Sequence, residues 1–399
     1  MWWPFAVACF LHVIGNVHCV FPEVRPDNPE AVMNVSQMIS YWGYPSEEYE
    51  VTTEDGYILT INRIPHGKTD GHHSGRRPVV FLQHGFLMSA SCWITNLPNN
   101  SLGFLLADAG YDVWLGNSRG NVWSRKHEYL SLDSKEFWEF SFDEMARYDL
   151  PASIDYIVKK TGQKIYYVGH SQGTFIGFLA FSTLPKLAQK VKAFHALAPV
   201  FSIQHVRSLP FKLLFRLPKL LFKLLVGDKD ILPETAISKF LATEVCNNEI
   251  TGIICGKIVF SLFGFDPENL NMSRIDVYLS HSLQGTSSQN FVHYYQNFHD
   301  IRNVTRAFDW GTRKENLAHY NQPTPPRYTL LSMRVPTALW SGQRDLLADP
   351  EDVAILVPQI PNLIYHKTLP TYNHLDFVFG VNAPEDVYNG MIEMIKKTP

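Results

Sequence analysis

Two regimes of apolar and polar patterning divide the chain. In the first, short apolar runs alternate with longer helical ones. Residues 50–64 hold two β-rich runs around Asp55-Gly56, the mark of a hairpin. Pro78-Val-Val-Phe-Leu-Gln83 reads as a buried strand that stops at His84-Gly85-Phe86. A helical run over Ser101 to Ala109 ends at Gly110, and Tyr111 to Leu115 is the next strand. Asp149 to Lys160 predicts a helix with Pro151 in its first turn, where a missing N–H costs nothing, and Gly162 past its end. Ile165 to Val168 then reads as a strand, Thr174 to Phe181 as a buried helix, and Val191 to Leu197 as another strand. After a gap the alternation resumes with the strand Val335 to Gly342, a helix opened by Asp349-Pro350, the strand Asn362 to Lys367 and a closing helix from Pro384. Such alternation predicts an α/β fold, a mostly parallel sheet covered by helices on both faces.

The second regime fills the gap. From Phe201 to Gln322 helical runs replace alternation, so residues 20–200 and 323–399 read as two parts of one core and residues 201–322 as an inserted helical cap over the sheet's carboxyl edge. Within it Ser208 to Val226 carries Lys212, Arg216, Lys219 and Lys223 at spacings of 4, 3 and 4, one basic helical face against leucine and phenylalanine. Such a segment suits a lipid surface. The alternative is a cap helix whose leucines pack on the core while its lysines are solvated; Pro218 interrupts either version.

Composition narrows the class. At 399 residues with 45% hydrophobic content the chain can bury a large core, and a net charge of −3 with no basic stripe argues against a nucleic-acid partner. Met1 to Cys19 reads as a secretory signal, because its apolar run, Phe5 to Ile14, is too short to span a bilayer comfortably. Export makes the N-x-S/T sequons at Asn34, Asn99, Asn271 and Asn303 candidate glycosylation sites. It also leaves three cysteines. Cys246 and Cys255 are close enough in sequence to form the natural disulfide, and Cys92 is then a buried thiol. His66, His72 and His73 sit in a polar loop and read as exposed rather than metal-binding; no cofactor or metal motif is present.

The chemistry centres on Gly169-His170-Ser171-Gln172-Gly173. A G-x-S-x-G between a buried strand and a buried helix is a nucleophile elbow, which holds its serine on a sharp turn at the sheet edge. Gly116-Asn117-Ser118-Arg119-Gly120 has the same pattern, but polar and charged residues follow it, so Ser118 reads as part of a structured loop. Serine needs a base, and the base needs an orienting acid. Asp345 directly follows a predicted strand and His374 lies in a terminal loop, giving the order Ser171, Asp345, His374. Asp349 reads instead as a helix cap, and His170 as projecting away from the serine. The His-Gly turn after Gln83 and the residue after the nucleophile nominate the backbone amides of Phe86 and Gln172 as oxyanion donors.

Longer stretches carry a resemblance. They include Ile39-Ser-Tyr-Trp-Gly-Tyr-Pro45, Phe81-Leu-Gln-His-Gly85, Asn96-Leu-Pro-Asn-Asn-Ser101, Trp114-Leu-Gly-Asn-Ser-Arg-Gly120, Tyr167-Val-Gly-His-Ser-Gln-Gly-Thr174, Asn269-Leu-Asn-Met-Ser273 and Tyr372-Asn-His-Leu-Asp-Phe377. From about Asn34 to its end the chain resembles the mammalian acid lipase family, gastric, pregastric and lysosomal. The resemblance implies an α/β-hydrolase fold with a helical cap, a lid over about Glu234 to Phe263, and hydrolysis of neutral-lipid esters without a cofactor. It carries the triad onto Ser171, Asp345 and His374 and the disulfide onto Cys246 and Cys255. The implied partner is a lipid droplet or emulsion surface, with no obligate protein partner. Phe86 stands where the family usually has leucine, so a phenyl ring borders the acyl site; Cys92, Phe175 and Ser282-Leu-Gln-Gly-Thr286 also depart from the family pattern. Triacylglycerol is the expected substrate, with cholesteryl ester second. The competing expectations are a soluble short-chain esterase and a weakly active lipid carrier.

Overall fold

A computed structural model describes residues 28–69, 75–231, 263–264, 266–300 and 304–398. The signal segment, Cys246, Cys255, Asn303, His72, His73 and all of the expected lid except Phe263 lie outside the described residues.

The hairpin forms as its turn signal requires, β1 (Glu47–Thr52) running antiparallel to β2 (Tyr57–Ile64). Val79–Gln83 (β3) is buried along its whole length, as expected of a strand covered on both faces. Helix α1 (Val35–Tyr41) precedes the sheet and α2 (Leu102–Asp108) links β3 to β4 (Asp112–Leu115). The short β5 (Lys126–His127) pairs with β2. Helix α3 (Leu150–Thr161) ends at Gly162 in the left-handed conformation, and a single π-type turn, Met145–Asp149, precedes it. β6 (Ile165–His170) leads into α4 (Gln172–Thr183), which is apolar all round and buried for most of its length. β7 (Val191–Leu197) completes the first half of the core.

Between β7 and the next strand of the large sheet lie α5 (Leu209–Phe215), α6 (Lys219–Val226), the short strands β8 (Asp230–Ile231) and β9 (Thr286–Ser287), and α7 (Ser288–Phe298). The core then resumes with β10 (Thr337–Gly342), α8 (Pro350–Leu356), β11 (Leu363–Leu369) and α9 (Asn389–Lys397). Asp349 caps α8 by accepting from the Glu351 amide at 2.9 Å.

Strand order is β1-β2-β4-β3-β6-β7-β10-β11. All neighbours from β4 to β11 are parallel. The chain leaves β3 toward β4 and then returns to the other side of β3 as β6. Ligands bind α/β sheets at such reversals, beyond the carboxyl ends of the strands.

The basic segment behaves differently from its packed-leucine reading. Pro218 divides it into α5 and α6, and the phenylalanines face inward: Phe211, Phe215 and Phe222 are buried. Six leucines face out, from Leu221 at 42% to Leu220 at 83% exposure. Aromatic rings pack on the aromatic residues of α7, with Phe222 stacked on Tyr295 at 4.3 Å, so the leucines are the residues left over.

Candidate active site

The elbow forms because two close approaches admit only glycine. A Cβ on Gly169 would lie 2.6 Å from the Gly173 carbonyl, and one on Gly173 would strike the Gln83 carbonyl. Ser171 takes φ 53° and ψ −118°, a strained conformation for a residue with a side chain. Its amide donates to Leu197 O at 3.0 Å, and its own carbonyl accepts from Thr174 N at 2.9 Å and Thr174 Oγ1 at 2.7 Å. One bond to the neighbouring strand and two within the turn thus hold the strained conformation.

Ser171, His374 and Asp345 are distant in sequence and adjacent in space. Ser171 Oγ lies 2.7 Å from His374 Nε2, and His374 Nδ1 lies 3.0 and 2.9 Å from the two oxygens of Asp345. All three are buried. Asp345 Oδ1 also accepts from the amides of Leu347 and Ala348 at 2.8 and 2.9 Å, so the carboxylate is fixed before it meets the histidine. As an acceptor on that side it selects the Nδ1–H tautomer of His374, which leaves an Nε2 lone pair facing the serine hydroxyl. The His374 loop is held in turn by Asp376, whose Oδ2 accepts from Asn373 N at 2.6 Å.

His170 points away from the serine hydroxyl but not into inert core. Its Nε2–H donates to the carbonyl of His374 at 2.9 Å, so the residue before Ser171 holds the loop that carries His374. Burial pushes its pKa down to about 3, with His374 acting in the same direction, which keeps it a neutral donor. His84 does similar work in the neighbouring turn. Its Nδ1–H donates to Gly85 O at 2.8 Å while Nε2 accepts from Ser118 N at 3.0 Å. Burial lowers its pKa to about 4. Neither link is visible in local sequence.

The Gly85 turn touches the elbow: a Cβ on Gly85 would lie 2.9 Å from Ser171 Cβ. Among the described residues, neither the Phe86 nor the Gln172 amide donates to a protein acceptor. Leu87 follows at φ 58°, and its carbonyl accepts from Gln284 N at 2.8 Å, so the Ser282–Thr286 segment braces this turn. The Phe86 ring is 5.6 Å from Phe291 and 5.2 Å from Tyr294. With Ser171, Phe211 and Phe215 these residues line a half-open apolar cavity of about 50 Å³. A larger cavity, about 370 Å³, lies at the opposite end of the sheet beside Tyr111 and Tyr166, and no serine, cysteine or histidine lines it.

Ser118 has no comparable partner. Its Oγ accepts from Gln83 Nε2 at 3.0 Å, and Arg119 beside it is buried between Asp55 and Asp149. Cys92 is buried and unpaired, and burial raises its thiol pKa well above the ordinary range. Among the described residues no group of three or more His, Cys, Asp or Glu could hold a metal ion, and no helix is long and apolar enough to cross a membrane.

Residues 35–97 match the partial alpha/beta-hydrolase lipase region, and residues 78–381 match the alpha/beta hydrolase fold family. The chain is 56% identical to gastric triacylglycerol lipase of Homo sapiens over 398 residues, 100% of this chain and 99% of the relative. It is 57% identical to lysosomal acid lipase/cholesteryl ester hydrolase of Macaca fascicularis over 373 residues, 93% of this chain and 92% of the relative. Among solved structures, the α/β hydrolase GrgF from Penicillium sp. sh18 superposes with a TM-score of 0.52 at 15% identity, covering 89% of this chain and 99% of that one, which speaks to the fold alone. The chain therefore belongs to the acid lipase family, carboxylic ester hydrolases built on the α/β-hydrolase fold.

Proposed function

We propose that the chain is a lipase that cleaves triacylglycerol first and cholesteryl ester second, through an acyl-enzyme on Ser171. The hydrogen-bonded line Ser171–His374–Asp345 at the wall of an apolar cavity carries the reading. In it, Ser171 Oγ attacks the ester carbonyl as its proton passes to His374 Nε2. Asp345 stabilises the imidazolium that results, and the amides of Phe86 and Gln172 receive the oxyanion. Collapse of the tetrahedral intermediate breaks the ester C–O bond, and His374 returns the proton to the departing alcohol. Water, deprotonated by His374, then attacks the acyl-serine, and breaking of the acyl–Oγ bond releases the fatty acid as His374 returns the proton to Ser171 Oγ.

The partner is the surface of a lipid droplet or emulsion. The outward leucines of α5 and α6, interleaved with Lys212, Arg216, Lys219 and Lys223, suit such a surface better than bulk water. We place the protein outside the cell or in the lysosomal lumen, with Met1 to Cys19 removed, Cys246 joined to Cys255, and glycans on Asn34, Asn99, Asn271 and Asn303. Asn99 is exposed, and the side-chain oxygens of Asn34 and Asn271 cap the helical turns that follow them. Residues 20–200 and 323–399 form the catalytic core in this reading, and residues 201–322 its cap and lid.

One observation favours a short-chain esterase instead: about 50 Å³ is far below the roughly 300–1,000 Å³ of typical ligand pockets. Hydrolysis of emulsified triolein and cholesteryl oleate between pH 4 and 8, wild type beside Ser171→Ala, decides the matter. Activity that disappears in the variant supports the lipase. A folded wild type that cleaves only soluble short esters replaces it with the esterase, and one inert toward every ester leaves the lipid carrier.

A further inference from the structure

Both candidate oxyanion donors are held by one residue of the inserted cap. Tyr294 on α7 donates its hydroxyl to Gln172 Oε1 at 3.0 Å, while its ring meets the Phe86 ring at 5.2 Å in an edge-to-face arrangement. The Gln172 side chain has two further partners. Its Oε1 also accepts from Asn290 Nδ2 at 2.9 Å, and its Nε2 donates to Met145 Sδ at 3.3 Å. Asn290 in turn accepts from Phe142 N at 3.0 Å through its Oδ1. Tyr294, Gln172 and Asn290 are all buried, so each of these bonds forms away from competing water. Burial also holds the Tyr294 pKa well above its ordinary value, which keeps the hydroxyl a donor.

Gln172 opens helix α4, and its side chain is anchored on the side of the cap rather than by the helix itself. Phe86 sits on the turn beyond β3, next to Leu87 in the left-handed region. No bond between Phe86 and Gln172 fixes the angle between their two amides. The backbones of the two turns meet where Gly85 packs against Ser171, and among the described residues Tyr294 touches both side chains.

We propose that Tyr294 is a positioning residue that sets the two halves of the oxyanion hole relative to each other, with Asn290 as its second anchor on Gln172. It touches no reacting atom and acts through the Gln172 side chain and the Phe86 ring. Its ring also lines the cavity beside Ser171, so the positioning effect is the part carried by the hydroxyl, and it shows in turnover when the ring is kept. The inference rests on the acyl-enzyme reading above.

The test uses full-length protein and a soluble ester, p-nitrophenyl butyrate, so that surface binding does not enter. Tyr294→Phe keeps the ring and removes only the hydroxyl. The expected result is a fall in kcat of about tenfold with KM little changed, a fraction of the roughly 10²–10³ lost with a whole oxyanion donor. In a Gln172→Ala background, which keeps the backbone amide but removes the anchored side chain, Tyr294→Phe should add nothing further. An unchanged kcat, or the same loss with and without the Gln172 side chain, overturns the proposal, because a merely structural tyrosine gives additive losses. Asn290→Ala provides the same reading through the other anchor should Tyr294→Phe fold poorly. A wild type inactive toward this ester fails at the acyl-enzyme reading instead, while an active wild type indifferent to Tyr294→Phe fails only here.

Discussion

Gly169–Gly173 and Gly116–Gly120 share a five-residue pattern, both follow a strand of the same sheet, and both serines are buried. They part at the serine backbone and at the next side chain. Ser171 occupies φ 53° and aims its hydroxyl at an imidazole, and the residue after it opens a buried helix. Ser118 lends its amide to His84 and its oxygen to Gln83, and the residue after it is an arginine buried against two carboxylates. One turn stores strain beside a base, and the other spends its polar groups on the fold. The second supports the first, since the Ser118 amide holds His84, which holds the Gly85 turn packed against Ser171.

The widest gap between the turns is catalytic. Ser171→Ala should lower kcat by about a million-fold, as loss of a triad serine does, with thermal stability unchanged or slightly raised by relief of strain. A residual rate within tenfold of wild type would mean that another nucleophile carries the reaction. Titration with a serine-directed phosphonate gives the same answer independently, since only the unmutated chain should take up one equivalent.

The next effect is on stability and belongs to the other turn. Arg119 Nε donates to Asp149 at 2.7 Å and its Nη1 and Nη2 to Asp55 at 2.6 and 2.8 Å, and its guanidinium lies 3.9 Å over the Tyr57 ring. Arg119→Met leaves Asp149 buried without its partner, a loss of about 3–5 kcal/mol that a denaturant midpoint would register. An unchanged midpoint would break the claim that this turn is structural.

Histidines sharpen the comparison further. His84 and His170 each make a directed hydrogen bond beside a turn, whereas neither ring nitrogen of His195 has a protein partner among the described residues. Burial pushes the His195 pKa down to about 3. In the unfolded chain the imidazole takes up a proton as pH falls below about 6.5, while in the folded chain it stays neutral. The unfolded state then binds more protons, so stability falls with falling pH across about 6.5 to 3. His195→Phe removes that slope. Between pH 6.5 and 5 the variant should lose about 1.7 kcal/mol less than wild type, the slope rising toward about 1.4 kcal/mol per pH unit below pH 6. Paired melts at the two pH values check it, and parallel acid losses in both proteins would exclude His195 as a contributor.

What was legible in the sequence follows from what patterns encode. Each core strand stood out because apolar runs such as Val79–Gln83 are bounded by turn residues, and Ser171, Asp345 and His374, which lie in one hydrogen-bonded line, stood out because each follows a strand end. The Ser171 context was legible for the same reason: a buried helix after one glycine pair, polar residues after the other. Contacts across long separations were not. Nothing local to Gln172 announces Tyr294, which lies 122 residues away, and nothing local to His170 announces the His374 carbonyl 204 residues on. The leucine face of α5 and α6 was misread in one of its two versions because leucine and phenylalanine score alike as apolar. Pro218 also resets the helical phase, and only packing against α7 decides which rings turn inward.

The smallest effect completes the comparison at its most literal, serine for serine. Ser118→Ala removes an acceptor from Gln83 Nε2 and leaves that buried amide without the 3.0 Å bond it now makes. It leaves the Ser118 backbone amide, and so the His84 bond, in place. The loss should be about 1–2 kcal/mol of stability, the cost of an unsatisfied buried donor. Turnover on a soluble ester should stay within a few-fold, because the His84–Gly85 turn keeps its support through the backbone. A large fall in kcat at full stability would mean that the Ser118 hydroxyl, and not only its amide, tunes the Gly85 turn. The two G-x-S-x-G loops would then be one catalytic unit rather than an active turn and its brace.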